Sequence, residues 1–194
     1  MGIQELLASL EASSIATRIR ESLYLFPLIE SAHVLGLTMV FGTIAIIDLR
    51  LLGIASTRRP FSRVASDTMK WTWVAFALTV TTGLLMFMTN AGVYYHNFYF
   101  RSKMAMLALA GINVVIFELT AARSVHRWDK DAAAPLAGRT VAAVSLLIWI
   151  GVIFLGRWIG FSTTQTDLKT DTDINIDALF PPRVDDTGKS KTPR

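Results

Sequence analysis

The chain contains three histidines, and several of its ionisable residues are set inside long apolar stretches. These are the groups whose types and spacing could do chemistry. Glu30, His33, Leu37, Val40, Ile44, Asp48 and Leu51 follow one another by three or four residues, the spacing that lines side chains along one face of a helix. Glu30 and His33 are one turn apart, and Asp48 lies about 22 Å beyond His33 at helical rise. A later stretch opens on Arg101 and Lys103 and closes on Glu118, with Asn113 between, and Arg157 stands near the end of another. Ionisable groups inside membrane-length apolar segments are costly to bury and are functional candidates by default. The spacing predicts an outer cluster of Glu30, His33, Lys103 and Arg157 with His96 just above it. It also predicts an inner cluster of Asp48, Arg50 and Glu118 near His126, with Asn113 at mid-depth. Arg50 is expected at the interface, its stem buried and its head in water.

Two readings of His33 stand side by side. As a haem b axial ligand, its imidazole would use a core position of the kind in which helical bundles build cofactor sites. Gly36 and Gly42 would then admit a flat macrocycle, and Arg101, Lys103 and Arg157 would pair with its propionates. His96 could supply a second axial nitrogen from the outer side, whereas His126 lies at the opposite face. As a plain core histidine, His33 would be satisfied by Glu30 or a carbonyl. A metal site of His33, His96 and Glu30 would suit zinc or copper(II). The methionines are expected to pack rather than bind copper. The charges could also pair with one another as Lys103–Glu30, Asp48–Arg50 or Glu118–Arg50. A proton relay between the clusters would need polar steps, and Thr38, Thr43 and Asn113 are the ones available.

The elements that must position these groups are membrane helices. The hydrophobic fraction is 52% and the charged fraction 18%, against about 25% charged residues in soluble domains. Mean hydropathy is +0.44. Apolar runs cover residues 23–54, 71–100, 104–122 and 141–161, and a span takes about 20 such residues. The fold class expected is all-α, an integral membrane four-helix bundle over residues 23–161. Residues 1–22 read as an amphipathic interfacial helix rather than a cleavable leader. Residues 162–194, rich in Thr and Asp, read as a polar extracytoplasmic tail, with one apolar patch, Ala178–Pro182, that could dock on a partner. Pro27 falls in the first turn of the first span, where a missing N–H costs least. Small residues, Gly156 and Gly160 among them, suit close helix packing.

Cysteine is absent, which excludes disulfides, thiolate metal sites, a c-type haem attachment and a cysteine nucleophile. No phosphate loop, nucleophile elbow, zinc-protease helix or dinucleotide fingerprint occurs, so no catalytic role is assigned beyond a redox subunit. The net charge of +4 is scattered between apolar runs, which points to basic loops at a lipid bilayer and not to nucleic acid. Other membrane subunits or further copies of the chain are the protein partners expected.

Ser31-Ala32-His33, Phe41-Gly42 and Asp48-Leu49-Arg50-Leu51-Leu52-Gly53 carry a resemblance, continued by Thr82-Gly83-Leu84-Leu85-Met86-Phe87, Asn90-Ala91, Phe100-Arg101-Ser102-Lys103-Met104 and Ala110-Gly111-Ile112-Asn113. Over about residues 23–160 the chain resembles a bacterial family of uncharacterised four-helix inner-membrane proteins. More distantly, a first-helix histidine followed by Gly and Leu-Arg, with a Lys opening the third helix, resembles the HemJ-type protoporphyrinogen oxidases and the CopD-type copper resistance proteins. The HemJ resemblance implies haem ligation at His33 and a role for Lys103. Glu118 stands where many such relatives would carry a second histidine. The function expected is a haem b-binding electron-transfer or anchor subunit. The alternatives are a cofactor-free structural subunit and a small transporter or metal-handling protein.

Arg50, Arg58, Arg59, Arg63 and Lys70 surround the first connection and Arg123, Arg127, Lys130 and Arg139 the third, whereas the second has Arg101 and Lys103. The positive-inside rule then places both ends outside the cytoplasm. Trp71, Trp73 and Trp128 mark the cytoplasmic level, and Tyr94, Tyr95, Phe98, Tyr99, Phe100 and Trp158 the outer one. Cysteines introduced one at a time at position 165 and in the 126–136 loop are expected to react with an impermeant thiol reagent from the periplasmic and the cytoplasmic side respectively. Labelling of position 165 from the cytoplasm alone would reverse the orientation.

Overall fold

The protein is described by a computed structural model over residues 2–172, with side chains described to residue 162. Two short helices, α1 (Ile3–Glu11) and α2 (Ser14–Glu21), precede α3 (Leu25–Leu51) and α4 (Phe61–Thr89). They are followed by α5 (Ala91–His96), α6 (Phe98–Leu119), a 3₁₀ turn at Ala122–Ser124, α7 (Val125–Trp128) and α8 (Leu136–Thr172). The described residues are all-helical apart from turns and connections. Four helical stretches are long and apolar enough to cross a membrane: Leu25–Leu51, Phe61–Thr89, Phe98–Trp128 and Leu136–Ser162. Leu35, Trp71, Trp73, Val74, Leu84, Ile112, Leu147 and Phe154 lie exposed on their outer faces. An apolar surface of this kind suits lipid, and helices satisfy their own backbone groups there.

The described residues fall into two units, the first ending at Arg157 and the second beginning at Trp158. Within the second, Trp158 and Phe161 meet edge to face at 6.4 Å, and the Ser162 hydroxyl donates to the Ile159 carbonyl at 2.9 Å. The backbone stays helical to Thr172, past the expected start of the tail at 162, and the Ala178–Pro182 patch lies outside the described residues.

In the first unit, each spanning helix turns a three-and-four stripe inward, the pattern of left-handed helix packing. On α3, Val40, Asp48 and Leu51 are buried and His33, Leu37 and Ile44 half-buried, as the stripe requires, but Glu30 falls outside and is exposed. On α4 the stripe is Thr68, Thr72, Ala75, Thr79, Thr82, Met86 and Thr89. Lys103, Met106, Ala110, Asn113 and Phe117 make it on α6, and Gly138, Ala142, Ser145, Trp149, Val152 and Gly156 on α8. Two glycines set close approaches between α3 and α4. A Cβ on Gly36 would stand 2.5 Å from Thr79 Oγ1, and one on Gly83 would stand 3.0 Å from His33 Cε1.

Three segments depart from the sequence expectation. The amphipathic N-terminal helix is broken in two, because Ser13 caps α2 through its hydroxyl on Ala16 N–H at 3.3 Å. Leu7, Ala16 and Ile19 of these helices are buried against the protein. The apolar run 71–100 is not one helix. α4 begins ten residues earlier, at Phe61, and ends at Thr89. Asn90 leaves helical geometry at φ −148°, and Asn97 caps α6 by accepting from Tyr99 and Phe100 N–H at 2.9 and 3.2 Å. Trp128, expected in the interfacial belt, is 3% exposed; its ring lies 5.1 Å from that of Phe61.

Arg50 overturns its expectation most plainly. It is 0% exposed, reaches no water and is turned to the loops. Nε donates to the Arg59 carbonyl at 3.0 Å, Nη1 to Ala132 at 3.3 Å, and Nη2 to Asp129 and Asp131 at 3.3 and 2.9 Å. The guanidinium thus ties the α3–α4 connection to the α7–α8 connection. Asp129 then caps α4: its carboxylate accepts from Ser62 N–H at 2.7 Å and Ser62 hydroxyl at 3.0 Å, and its carbonyl from Phe61 N–H at 2.9 Å. This cap replaces the one Pro60 cannot supply from its own side chain. Gly53, at φ +76°, lets the chain turn where Ala132 and Ala133 leave no space for a side chain. Arg50→Lys keeps the charge but loses the planar fork. It is expected to lower stability by roughly 3 kcal/mol, read as a fall in thermal midpoint in detergent, whereas Arg58→Ala and Arg63→Ala, at exposed positions, leave it unchanged.

Candidate functional site

The half of the bundle next to the α4–α5 corner holds His33, on α3 facing α4. Its Nδ1 lies 3.0 Å from Thr82 Oγ1, and the Thr79 backbone is also within hydrogen-bond reach. The Thr82 hydroxyl has a single proton, and it is committed to the α4 backbone, to Leu78 O at 2.7 Å with Thr79 O at 3.2 Å. Its oxygen must therefore accept from the ring. The network assigns the proton of His33 to Nδ1 and leaves the lone pair on Nε2. This is the neutral tautomer that can bind a metal ion through Nε2, with its other nitrogen oriented by a protein acceptor. Glu30, the acceptor expected from its one-turn spacing, is exposed and stands instead near Tyr94. Burial, and after it the Glu30 carboxylate, hold the Tyr94 phenol above its usual range.

Lys103 is the second group of this site. Its ammonium acts electrostatically on the His33 ring, and its side chain lies along α8 with Nζ 3.5 Å from where a Cβ on Gly156 would be. Gly156 is thus used for packing within the bundle. Arg101 and Arg157 are exposed. His96 is not drawn into the cluster. In α5 it is exposed, with Nδ1 2.8 Å from the Gly92 carbonyl and Nε2 3.5 Å from Gln4 Nε2 of α1. Nδ1 thus donates to the Gly92 carbonyl, and Nε2 faces Gln4 at the surface, whereas His33 turns to Thr82. Beside it, the Glu11 carboxylate accepts from Gly92 N–H at 2.8 Å, and Arg20 donates to Thr89 O at 2.8 Å and Glu11 O at 3.1 Å. These bonds fasten α1 and α2 over the α4–α5 corner. No group of three or more His, Asp or Glu side chains that could hold a metal ion occurs among the described residues, so His33, His96 and Glu30 do not assemble as one.

A haem at His33 passes one part of the fit and strains another. The Nε2 lone pair is the donor it requires, and the Lys103 ammonium suits a propionate. The face of Gly36, however, is filled by Thr79, and that of Gly83 by His33 itself; Gly42 meets open space. Met106 fills the space beside Gly151, so it serves packing as expected.

The other half, next to the α3–α4 connection, holds Asp48, 5% exposed, hydrogen-bonded by the Ser145 hydroxyl. Asn113, 7% exposed, donates to the Val141 carbonyl at 3.1 Å. Neither expected ion pair with Arg50 forms, since loop carbonyls occupy the guanidinium. Glu118 is exposed, because fifteen helical positions from Lys103 carry it off the inward stripe, which passes through Phe117. The polar steps on α3, Thr38 and Thr43, donate their hydroxyls to carbonyls of their own helix at 2.8 and 2.9 Å.

Comparison with known proteins adds a family to this geometry. The DUF6644 family, described as a family of unknown function, matches residues 21–162. The chain belongs to this family. No curated protein and no solved structure matches the chain. The matched segment starts at the end of α2 and takes in all four candidate spans.

Thr82 and Ser145 escaped the sequence reading. The threonines of α4 recur at the positions of a seven-residue repeat, and that recurrence is the signal that marks Thr82 as inward-facing. Thr82→Val removes the acceptor for Nδ1–H and is expected to cost about 1 kcal/mol, with Thr82→Ser close to wild type. In a double-mutant cycle with His33→Ala, a coupling of about 1 kcal/mol is expected in thermal or denaturant unfolding. Strict additivity would show that the two side chains do not interact.

Proposed function

We propose that the chain is an integral membrane haem b-binding subunit, serving electron transfer or anchorage in a larger complex of a bacterial inner membrane, with its outer cluster on the extracytoplasmic side. The observation that carries the reading is the 3.0 Å contact of His33 Nδ1 with Thr82 Oγ1: with the Thr82 hydroxyl donated to its own helix, Nδ1 is assigned the proton and Nε2 the lone pair, and Lys103 acts on the same ring. When bound, haem b supplies a one-electron iron couple. His33 would hold it through Nε2, Thr82 would keep the ring oriented and basic, and Lys103 would meet a propionate, with Arg101 and Arg157 at the outer rim. The resemblance of His33, Gly42, Leu49-Arg50 and Lys103 to the HemJ-type pattern supports the same assignment. In this reading His96 stays with α1 and is not called on as a ligand.

A second reading, a cofactor-free structural subunit, draws on the filled faces of Gly36 and Gly83, where α3 and α4 already touch. The exposed apolar helix faces serve lipid, other membrane subunits or a further copy of the chain in either case.

Absorption spectra of the full-length protein, purified from haem-replete cells and reduced with dithionite, decide between them. The haem reading expects a Soret and an α-band in wild type, lost in His33→Ala and regained by His33→Gly with added imidazole. His96→Ala and His126→Ala are expected to leave the bands in place. A protein without these bands, or a His33→Ala variant that folds and keeps them, contradicts the haem reading.

A further inference from the structure

Two apolar cores divide the interior of the bundle. One gathers Val40, Ala75, Ala110, Ile148, Trp149 and Val152, with Ile44 packed against it. The other gathers Leu51, Phe61, Ala121, Trp128, Ala134 and Ala142, with Ala65 and Phe117 packed against it. Between the two, every spanning helix carries polar residues on its inward stripe. Asp48 falls between Ile44 and Leu51 on α3, and Thr68 and Thr72 between Ala65 and Ala75 on α4. Asn113 falls between Ala110 and Phe117 on α6, and Ser145 between Ala142 and Ile148 on α8. Burial of apolar surface does not account for four polar levels in register, since each polar group there has to be satisfied inside the protein.

The layer is short of a positive partner. The Ser145 hydroxyl serves one oxygen of the Asp48 carboxyl; the other, Oδ2, is buried without any hydrogen-bond partner. The threonines of the layer present oxygen rather than hydrogen: Thr68 and Thr72 donate their hydroxyls to Val64 O at 2.7 Å and Thr68 O at 3.2 Å. Asn113 spends one of its two amide N–H groups on Val141 O, and its side-chain oxygen is a further hard donor. Among the described residues no cation balances the carboxyl from a packed element. Arg50 on α3 is held by loop carbonyls. Asp67 and Lys70 on α4, Glu118 on α6 and Arg139 on α8 are exposed. A buried carboxylate without a counter-charge is not tolerated in an apolar interior, whereas hard oxygen donors around a carboxylate are the ligand set of a small, hard cation.

We propose that Asp48, Ser145 and Asn113 form an intramembrane binding site for one small monovalent cation, H⁺ or Na⁺, held on Asp48 Oδ2. The site is independent of the haem reading: it lies about 22 Å of helix from His33, with an apolar core between. H⁺ and Na⁺ share the chemistry the layer asks for, one positive charge on a carboxylate oxygen, and differ in what they do to the carboxyl.

Infrared difference spectra of the full-length protein in lipid, wild type minus Asp48→Asn, read that carboxyl directly at neutral pH. With H⁺ bound, wild type shows the carbonyl stretch of a neutral carboxylic acid, shifted on exchange into D₂O and lost in Asp48→Asn. With Na⁺ bound, the Asp48 carboxylate stretches shift when sodium chloride replaces choline chloride. Either result supports the site. Carboxylate stretches that do not move on that replacement, with no neutral-acid band, would mean an ionised Asp48 compensated by water alone and would overturn it. If Asp48→Asn does not fold, wild type with ¹³C-labelled aspartate carboxyls, compared with Ser145→Ala, picks out the same band and separates the same outcomes.

Discussion

A guanidinium without access to water has to find its acceptors inside the protein, and the end of the bundle where α3 hands over to α4 is arranged around that need. Arg50 takes four carbonyls from two connections that are distant in sequence. Drawing the carbonyls of Asp129 and Asp131 inward brings the Asp129 carboxylate to the start of α4, where it caps a helix that opens after a proline. The same turn seats Trp128 on Phe61, and Gly53 permits the tight approach of Ala132 and Ala133. One side chain therefore fixes where α3 ends, where α4 begins and how the α7–α8 connection lies. The chemistry is that of a charge whose hydrogen bonds to protein replace those lost to water.

The same rule operates at mid-depth and at the outer end with different partners. His33 is oriented by a threonine whose own proton is committed to its helix, so the direction of that hydrogen bond follows from the backbone of α4. Asp48 receives a single hydroxyl and keeps one oxygen unmatched. His33 thus keeps a lone pair near the α4–α5 corner, and Asp48 keeps a carboxyl oxygen in the layer near the α3–α4 connection. Both lie on inward stripes, and an apolar core separates them. A continuous polar path between them is not built, because the threonines that could have provided it on α3 are turned to their own carbonyls.

Much of this architecture is written plainly in the residues. Apolar length gives four spans, and the stripe through His33, Val40, Asp48 and Leu51 correctly turns these side chains inward. What the residues do not display is which acceptor a buried donor takes. Backbone carbonyls have no letter in a sequence, so Arg50 read as a snorkelling interfacial arginine and Glu30 as the partner of His33. Spacing alone also misplaced Glu118, since fifteen positions return to a helix face only approximately, and the error is enough to move a side chain from the interior to the surface. The break at Asn90 was hidden by the apolar residues on either side of it. Residues 91–100 are as hydrophobic as a span but serve a corner and the first turn of α6. The N-terminal helices bury Leu7, Ala16 and Ile19 against α4 and its neighbours, a use of an amphipathic face that composition does not distinguish from binding a lipid surface.

The functional site depends on the state of one imidazole, and nitrogen-15 NMR of the histidine side chains in lipid observes it directly. With three histidines in the chain, His33 is assigned by the signal missing from His33→Ala. The hydrogen bond to Thr82 predicts that His33 carries its proton on Nδ1 at neutral pH, with Nε2 appearing as an unprotonated nitrogen or, where iron is bound, shifted by it. A His33 signal with the proton on Nε2 and a bare Nδ1, or with both nitrogens protonated, would contradict it.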